Sequence, residues 1–285
     1  MRPPAPDQDR TVSAVFPDDN RPASTSVSVM SDAERFQTWQ RDELEARGED
    51  SEVLSIGPFR GLLSTAGVKP ATGWITLIEG TATQAETAKA LTKLKSAFKK
   101  RGVPLEIEFN EAAFPKVGAW LEAAGLKPAE KNALMACRPD AFKPSTSDEV
   151  NITQLVASST TAELEAFRTM LWTNGGEIDR PTQPIDRLFA EMARPNSVFL
   201  LAWLEWEAVG TGVSHALKGA AEILGVVTRK DKRRRGIAAA ITSELMRRHF
   251  ANGGEFVFLD AAGADAVRVY ERLGFSRFGN KLIYR

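Results

Sequence analysis

The spacing of apolar residues in the second half of the chain predicts strands followed by a helix with one apolar face. Three apolar stretches with turn residues between them have the composition of successive strands. They cover residues 197–205, 208–217 and 221–228. Beyond them Ile237, Ile241 and Leu245 recur every four residues, which predicts an amphipathic helix. Asn252-Gly253-Gly254 is typical of the end of such a helix.

The same patterns extend to both sides of this block. They predict a strand at 150–155, helices at 160–172 and 186–194, a strand at 255–261, a helix at 266–273 and a last strand pair within 275–285. The C-terminal half is therefore predicted to be an α/β domain with a meander of strands followed by strand–helix alternation.

The N-terminal half repeats part of this order without gaps. A shift of 149 residues places VYERLGF (269–275) on WLEAAGL (120–126) and EFVFLD on EIEFNE. The helix that begins near Gly236 falls on a helical pattern within TAKALTKLKSAFKK. A register that holds over this length predicts two related domains in tandem.

Composition sets the domain boundaries. Residues 1–30 are rich in Pro, Asp and Ser without apolar periodicity, which predicts a disordered leader. Met30 stands where the ordered pattern begins and is a candidate alternative start. Turn and breaker residues at 138–150 predict a linker. The expected domains are therefore 31–140 and 149–285.

Charge and cysteine content narrow the function classes. The 37 Lys and Arg residues balance 37 Asp and Glu residues, which argues against a dedicated nucleic-acid or membrane-surface binder. Cys137 is the only cysteine and there are two histidines, so we expect no disulfide within the chain and no metal site. No apolar run is long enough to span a bilayer. These features favour a soluble cytoplasmic protein.

RRRGIA (233–238) has the pattern of an anion site. It follows a strand and a short polar loop and opens a helix, whose first N–H groups lack partners and carry partial positive charge. A glycine at this point lets a phosphate approach the backbone closely. The stretch contains neither a GxxxxGK loop nor a dinucleotide fingerprint. The alternatives are a solvated charge run or a nucleic-acid patch.

RRRGIA, followed downstream by a strand and then YERLGF (270–275), resembles the GNAT superfamily of CoA-dependent N-acetyltransferases. The resemblance covers about 150–285 well and 50–137 only as a faded copy. It implies an α/β fold of two tandem GNAT-like domains, each a mixed, largely antiparallel sheet flanked by helices. It further implies acetyl-CoA as cosubstrate and a small-molecule or peptide amine as acceptor.

The resemblance also implies roles for individual residues. Backbone groups of Val226, Val227 and Thr228 would bind the pantetheine arm, and Tyr270 would protonate the departing thiolate. Glu222 occupies a strand position where some members keep a general base. The cradle for the CoA phosphates would consist of Arg233, Arg234, Arg235, Gly236, Ile237, Ala238 and Ala239. Gly263 stands where many members have an asparagine that contacts the CoA arm.

Plainer readings exist for several of these residues. Tyr270 could be a packed helix aromatic, and Glu222 an exposed strand residue. His215 and His249 are expected to be structural. Trp172, Glu177 and Asp179, in and after a predicted helix, would lie where the family covers its acceptor and could contact a cationic substrate.

The N-terminal half has other residue types at the positions that correspond to the predicted site residues. Under the 149-residue shift Gly236 corresponds to Thr87, Ala238 to Lys89 and Tyr270 to Leu121. With Glu79 and Glu86 nearby as well, we expect this half to keep the fold without binding CoA in the usual way. The whole chain is accordingly predicted to be an N-acetyltransferase. The rival reading is a non-catalytic acyl-CoA sensor, and nucleic-acid binding is a weaker one.

Overall fold

The computed structural model describes residues 30–47, 51–64, 73–77, 83–177 and 185–285. The predicted leader, apart from Met30, lies outside these residues. The N-terminal half has the following elements: α1 Asp32–Ala46, β1 Ser51–Ile56, β2 Phe59–Ser64, β3 Gly73–Leu77, α2 Gln84–Arg101, β4 Ile107–Asn110, α3 Val117–Ala123 and β5 Pro128–Cys137.

The C-terminal half follows the predicted order. Its elements are β6 Asn151–Leu155, α4 Thr161–Trp172, α5 Ile185–Met192, β7 Ser197–Leu204, β8 Glu207–Leu217, β9 Ala220–Thr228, α6 Ile237–Ala251, β10 Phe256–Ala261, α7 Gly263–Arg272 and β11 Ser276–Tyr284. A 3₁₀ turn at Lys230–Lys232 lies between β9 and α6. The last stretch is one strand with a bulge, and the prediction of a strand pair within it was wrong.

The 149-residue register is visible in the elements themselves. Adding 149 to the bounds of β4, 107–110, gives 256–259, which lies within β10. The same addition to α2, 84–101, gives 233–250, against 237–251 for α6. For α1, 32–46, it gives 181–195, which contains α5. From α1 to β5 the N-terminal half therefore has the same element order as the C-terminal half from α5 to β11, in the tandem α/β arrangement expected from the sequence.

Within the described residues, the strands of both halves form one sheet of eleven strands, in the order β1-β2-β3-β4-β11-β5-β10-β9-β8-β7-β6. Two pairs, β3–β4 and β9–β10, are parallel, and the other pairs are antiparallel. The last strand of each half pairs with the penultimate strand of the other: β11 with β4, and β5 with β10. The halves are thus joined by a reciprocal exchange of their last strands.

The exchanged strands carry side chains into each other's core. Met135 and Cys137 of β5 are buried in the cluster beneath α6 and α7, with Leu259 and Tyr270. Tyr284 of β11 lies in the core of the N-terminal half. Its ring stacks on Phe109 at 6.0 Å between centroids, and its hydroxyl donates to Glu122 Oε1 at 2.9 Å. Each half therefore completes the hydrophobic core of the other.

Two glycines of β8 allow α6 to lie directly on the sheet. A β-carbon at Gly210 would stand 2.7 Å from Ile241 Cδ1, and one at Gly212 would stand 2.4 Å from Ile241 Cγ2. Any larger residue would force the helix away from the sheet. None of the helices in the described ranges is both long and apolar enough to cross a membrane.

The strand exchange predicts that neither half folds alone. A fragment of residues 31–140 would lack β11 between β4 and β5, and a fragment of residues 149–285 would lack β5 between β10 and β11. Each would expose sheet edges and part of a core. Circular dichroism melts should show no cooperative transition for either fragment, whereas co-expression of both should restore one. A cooperative melt of 149–285 alone would contradict the interdependence.

Candidate acyl-CoA site

A wedge opens in the sheet between two parallel strands. β9 and β10 pair only at three positions, the last being Glu222 with Phe258. Beyond this point, in the described chain, β9 continues to Thr228 paired on its β8 side alone. The wedge therefore leaves one edge of Val226, Val227 and Thr228 without a strand partner, where an extended ligand could pair with the backbone.

A bulge in β9 shapes this edge. The register with β8 shifts so that Gly225 and Val226 lie opposite the single residue Gly212. Gly225 has φ +59°, and a β-carbon there would lie 2.9 Å from Leu171 Cδ1 of α4. Thr211 Oγ1 donates to the Gly225 carbonyl at 3.0 Å. The bulge is thus fixed by α4 on one side and by β8 on the other.

The start of α6 offers backbone N–H groups without a capping side chain. Gly236 is the N-cap residue, with φ +77°, and Arg234 also has a positive φ of +63°. A β-carbon on Gly236 would meet no atom within 4 Å, so the surface beside it is open. The first helical bond runs from Ala240 to Gly236, at 2.9 Å. The earlier amides, of Ile237, Ala238 and Ala239, therefore form a place for an anion.

The corresponding helix of the N-terminal half has this place filled. Thr83 caps α2, its hydroxyl accepting from the Glu86 amide at 3.3 Å. The Glu86 carboxylate in turn accepts from the Thr83 amide at 2.9 Å and hydroxyl at 2.8 Å. These bonds lower the pKa of Glu86, with the Thr83 amide contributing most. A fixed negative charge thus occupies the position that a phosphate would need.

Most basic side chains of the loop before α6 have acidic partners. Arg233 donates to Glu177 Oε1 at 2.8 Å and to the Thr228 carbonyl at 3.2 Å. Arg235 pairs with Glu149 at 2.7 Å, and Arg229 with Glu207 at 2.8 Å. Arg234 is exposed, and no ion pair to it is found in the described part of the chain. The positive charge of the loop is therefore largely balanced by the protein itself.

Tyr270 lies on α7 with its side chain in the core beneath α6 and α7. It is 8% exposed, and its ring lies 5.7 Å from that of Phe275 between centroids. Burial, with the nearby negative charge of Asp260, raises the pKa of Tyr270 above its usual value. The phenol therefore keeps its proton at neutral pH, which a general acid requires.

Glu222 lies on β9 at the last pair before the wedge opens. It is partly buried, opposite Phe258 of β10 and His215 of β8. Burial raises the pKa of Glu222 to about 8, against the opposing effect of Lys281. A carboxyl with such a pKa can exchange a proton near neutral pH. Sequence reasoning singled out Glu222 but missed the groups around it, since these depend on the strand order.

Residues 173–177, which follow α4, lie against the loop before α6. Gly175 packs on Thr228, and its carbonyl accepts from the Lys230 amide at 3.1 Å. Glu177 accepts from Arg233 and from Asn174, and the bond to Arg233 contributes most to lowering its pKa. Trp172 is partly buried at the end of α4, and Asp179 lies outside the described residues. The structure therefore places Glu177 in contact with the loop before α6.

The two histidines hold structural positions. His215 is buried, and its Nδ1 lies 2.7 Å from Ser197 Oγ. Burial, aided by Arg194 and Arg47, lowers the pKa of His215 to about 3. His249, in the last turn of α6, has its Nε2 3.2 Å from the Gly219 carbonyl, and burial lowers its pKa too. Both are therefore neutral at pH 7, so the helix dipole does not stabilise a charged His249.

Comparison with known proteins finds a family model that matches the part of the chain that holds this site. Residues 164–275 match the model described as the "Acetyltransferase (GNAT) family". The matched range includes the wedge, the start of α6 and Tyr270. No curated protein matches the chain.

Solved structures share the fold over most of the chain. A GCN5-related N-acetyltransferase from Kribbella flavida is 21% identical, with a TM-score of 0.68 over 90% of this chain and 96% of that chain. One from Sphaerobacter thermophilus is 18% identical, with a TM-score of 0.60 over 80% and 76%. A tandem GNAT protein from the clavulanic acid biosynthesis pathway is 10% identical, with a TM-score of 0.56 over 88% and 94%. These likenesses establish the tandem GNAT fold.

Proposed function

We propose that the chain transfers an acetyl group from acetyl-CoA to a primary amine, since residues 164–275 match the model of the GNAT acetyltransferase family. The contrast between the starts of the two corresponding helices, α2 and α6, supports this most strongly. The amides at the start of α6 have no capping side chain, whereas Glu86 fills the start of α2. We propose accordingly that the domain of residues 149–285 is catalytic and that the domain of residues 31–140 is a non-catalytic partner.

In this proposal the backbone of the chain binds the cosubstrate. Amides of residues 234–239 hold the pyrophosphate. Arg234, which has no ion pair within the described residues, is a cation beside it. The free edge of β9 at Val226, Val227 and Thr228 pairs with the pantetheine arm. When bound, acetyl-CoA supplies the acetyl thioester at the mouth of the wedge.

Two side chains transfer the protons of the reaction. Glu222, directly or through a water, takes a proton from the acceptor ammonium, and the freed amine nitrogen attacks the thioester carbonyl carbon. The new C–N bond forms as the C–S bond breaks, and Tyr270 gives its phenolic proton to the departing thiolate. The attacking nitrogen loses its second proton to solvent. Glu222 then releases the proton that it took, and solvent restores the proton of the phenol. The transfer is direct, since Cys137 is buried and burial raises the pKa of its thiol to about 11.

Ala238→Glu tests the cofactor site. A carboxylate among the amides would repel the pyrophosphate, and such like-charge contacts cost several kcal/mol, so acetyl-CoA should bind about 100-fold more weakly or worse. A glutamate in the first turn of a helix interacts favourably with the helix dipole, so the variant should still fold. Isothermal titration with acetyl-CoA measures the effect. Lys89→Glu is the control and should bind normally, since the 149-residue register aligns Lys89 with Ala238 but places it in the second turn of α2. Unchanged binding by Ala238→Glu would place the cofactor elsewhere.

Tyr270→Phe tests the enzyme reading against a non-catalytic acyl-CoA sensor. Loss of the acid should lower the rate of acetyl transfer to the best of a panel of primary amines by about 100-fold or more. Acetyl-CoA affinity should stay unchanged, because the phenol acts on the leaving group. If the wild-type protein binds acetyl-CoA and acetylates no amine of the panel, the sensor reading replaces the enzyme.

A further inference from the structure

A row of polar side chains crosses the centre of the sheet on the face covered by α1. Its members come from five neighbouring strands. They are Glu222 of β9, Asp260 of β10, Asn132 of β5, Lys281 of β11 and Glu108 of β4, and we call them the central polar row. Asn132 and Lys281 are direct cross-strand partners. The row therefore runs from the C-terminal half into the N-terminal half.

Lys281 holds two carboxylates, one from each half. Its Nζ donates to Asp260 Oδ1 at 2.8 Å and lies 3.5 Å from Glu108 Oε2. The other Asp260 oxygen accepts from Asn132 Nδ2 at 2.8 Å. The Lys281 side chain is only 15% exposed and that of Glu108 only 12%. Buried charges such as these stabilise one another strongly, because removing one of them leaves its partner buried without an opposite charge.

Glu222 forms the end of the row that reaches the wedge. Its partner on β10 is Phe258, and Asp260 follows two residues later on the same face. The row thus contains three carboxyl groups and a single ammonium. Such an excess of negative charge would attract a protonated amine to the side of Glu222 that the wedge leaves open.

Other charged groups near Glu222 are balanced or neutral. His215 of β8 stands opposite Glu222 and is neutral above pH 3. Glu43 of α1 forms ion pairs with Arg47 and Arg194, and both arginines also pair with Glu191 of α5. The ion triplet of Lys281 with Asp260 and Glu108 is therefore the set of charges that can most change the state of Glu222.

We propose that Lys281 is a positioning residue for the acceptor site and that Glu108, from the N-terminal half, acts on Glu222 through it. The proposal rests on the role of Glu222 as base in the proposed function. The N-terminal half, proposed above to be non-catalytic, then supplies a charge to the catalysis of the other half. A purely structural ion triplet would hold the strands together and leave the proton affinity of Glu222 unchanged.

Two substitutions should move the titration of Glu222 in opposite directions. Lys281→Met removes the positive charge that favours the carboxylate, so the midpoint should rise by about one pH unit. Glu108→Gln removes a negative charge that disfavours the carboxylate, so the midpoint should fall. Lys281→Arg should restore the wild-type value. Lys131→Met, which breaks an exposed ion pair with Glu111 outside the row, is the control and should cause no shift.

Carbon-13 NMR of the full chain, labelled at the glutamate side-chain carboxyl, measures these midpoints without any acceptor. The Glu222 signal is assigned by its loss in Glu222→Gln. Opposite shifts of the Glu222 midpoint in Lys281→Met and Glu108→Gln support the proposal. A general destabilisation would not shift the midpoint in a direction that depends on the sign of the charge removed. Midpoints equal to wild type, or shifts of both in one direction, overturn it. If Lys281→Met does not fold, the downward shift of Glu108→Gln decides alone.

The activity of Glu222→Gln separates this proposal from the proposed function. The variant should lose most acetyl transfer to a primary amine that the wild type acetylates, while it still binds acetyl-CoA. Full activity in Glu222→Gln would overturn the base role, whatever the NMR midpoints are. Lost activity together with unmoved midpoints would overturn the positioning role of Lys281 and leave the base in place.

Discussion

The exchange of last strands is the constraint on which the rest of the structure depends. β5 pairs with β10, β11 pairs with β4, and the two exchanged strands pair with each other at the centre of the sheet. This arrangement puts Met135 of β5 into the core of the C-terminal half and Tyr284 of β11 into the core of the N-terminal half. It also brings Asn132 and Glu108 beside Asp260 and Lys281. The N-terminal half therefore contributes to the polar groups around Glu222.

The two halves show how one helix start can be used in two ways. In α2, Thr83 and Glu86 satisfy the first amides locally, which stabilises the helix and places a carboxylate there. In α6 the corresponding amides have no capping side chain, and Gly236 has a positive φ that favours glycine. A helix that leaves these groups uncapped forgoes roughly 1 kcal/mol of stability. Such a loss is expected at a site kept for a ligand.

Much of the fold could be predicted from the sequence because the patterns are local. The apolar repeat of Ile237, Ile241 and Leu245 lies in α6, and the ungapped register reappears in the bounds of the elements. The exchange could not be predicted, since pairing between β5 and β10 depends on contacts far apart in sequence. For the same reason the sequence pointed to Glu222 and not to Lys281. The capping box TQAE (83–86) is also a local pattern, and it predicts the capped start of α2.

Hydrogen–deuterium exchange of the full chain, with and without acetyl-CoA, tests most directly that only one helix start serves the cofactor. Our account predicts slower exchange of the amides at 234–239 and along the free edge of β9 when acetyl-CoA is added. The amides at 84–88, at the start of α2, should exchange at unchanged rates. Protection at the start of α2, or unchanged exchange at the start of α6, would contradict the account.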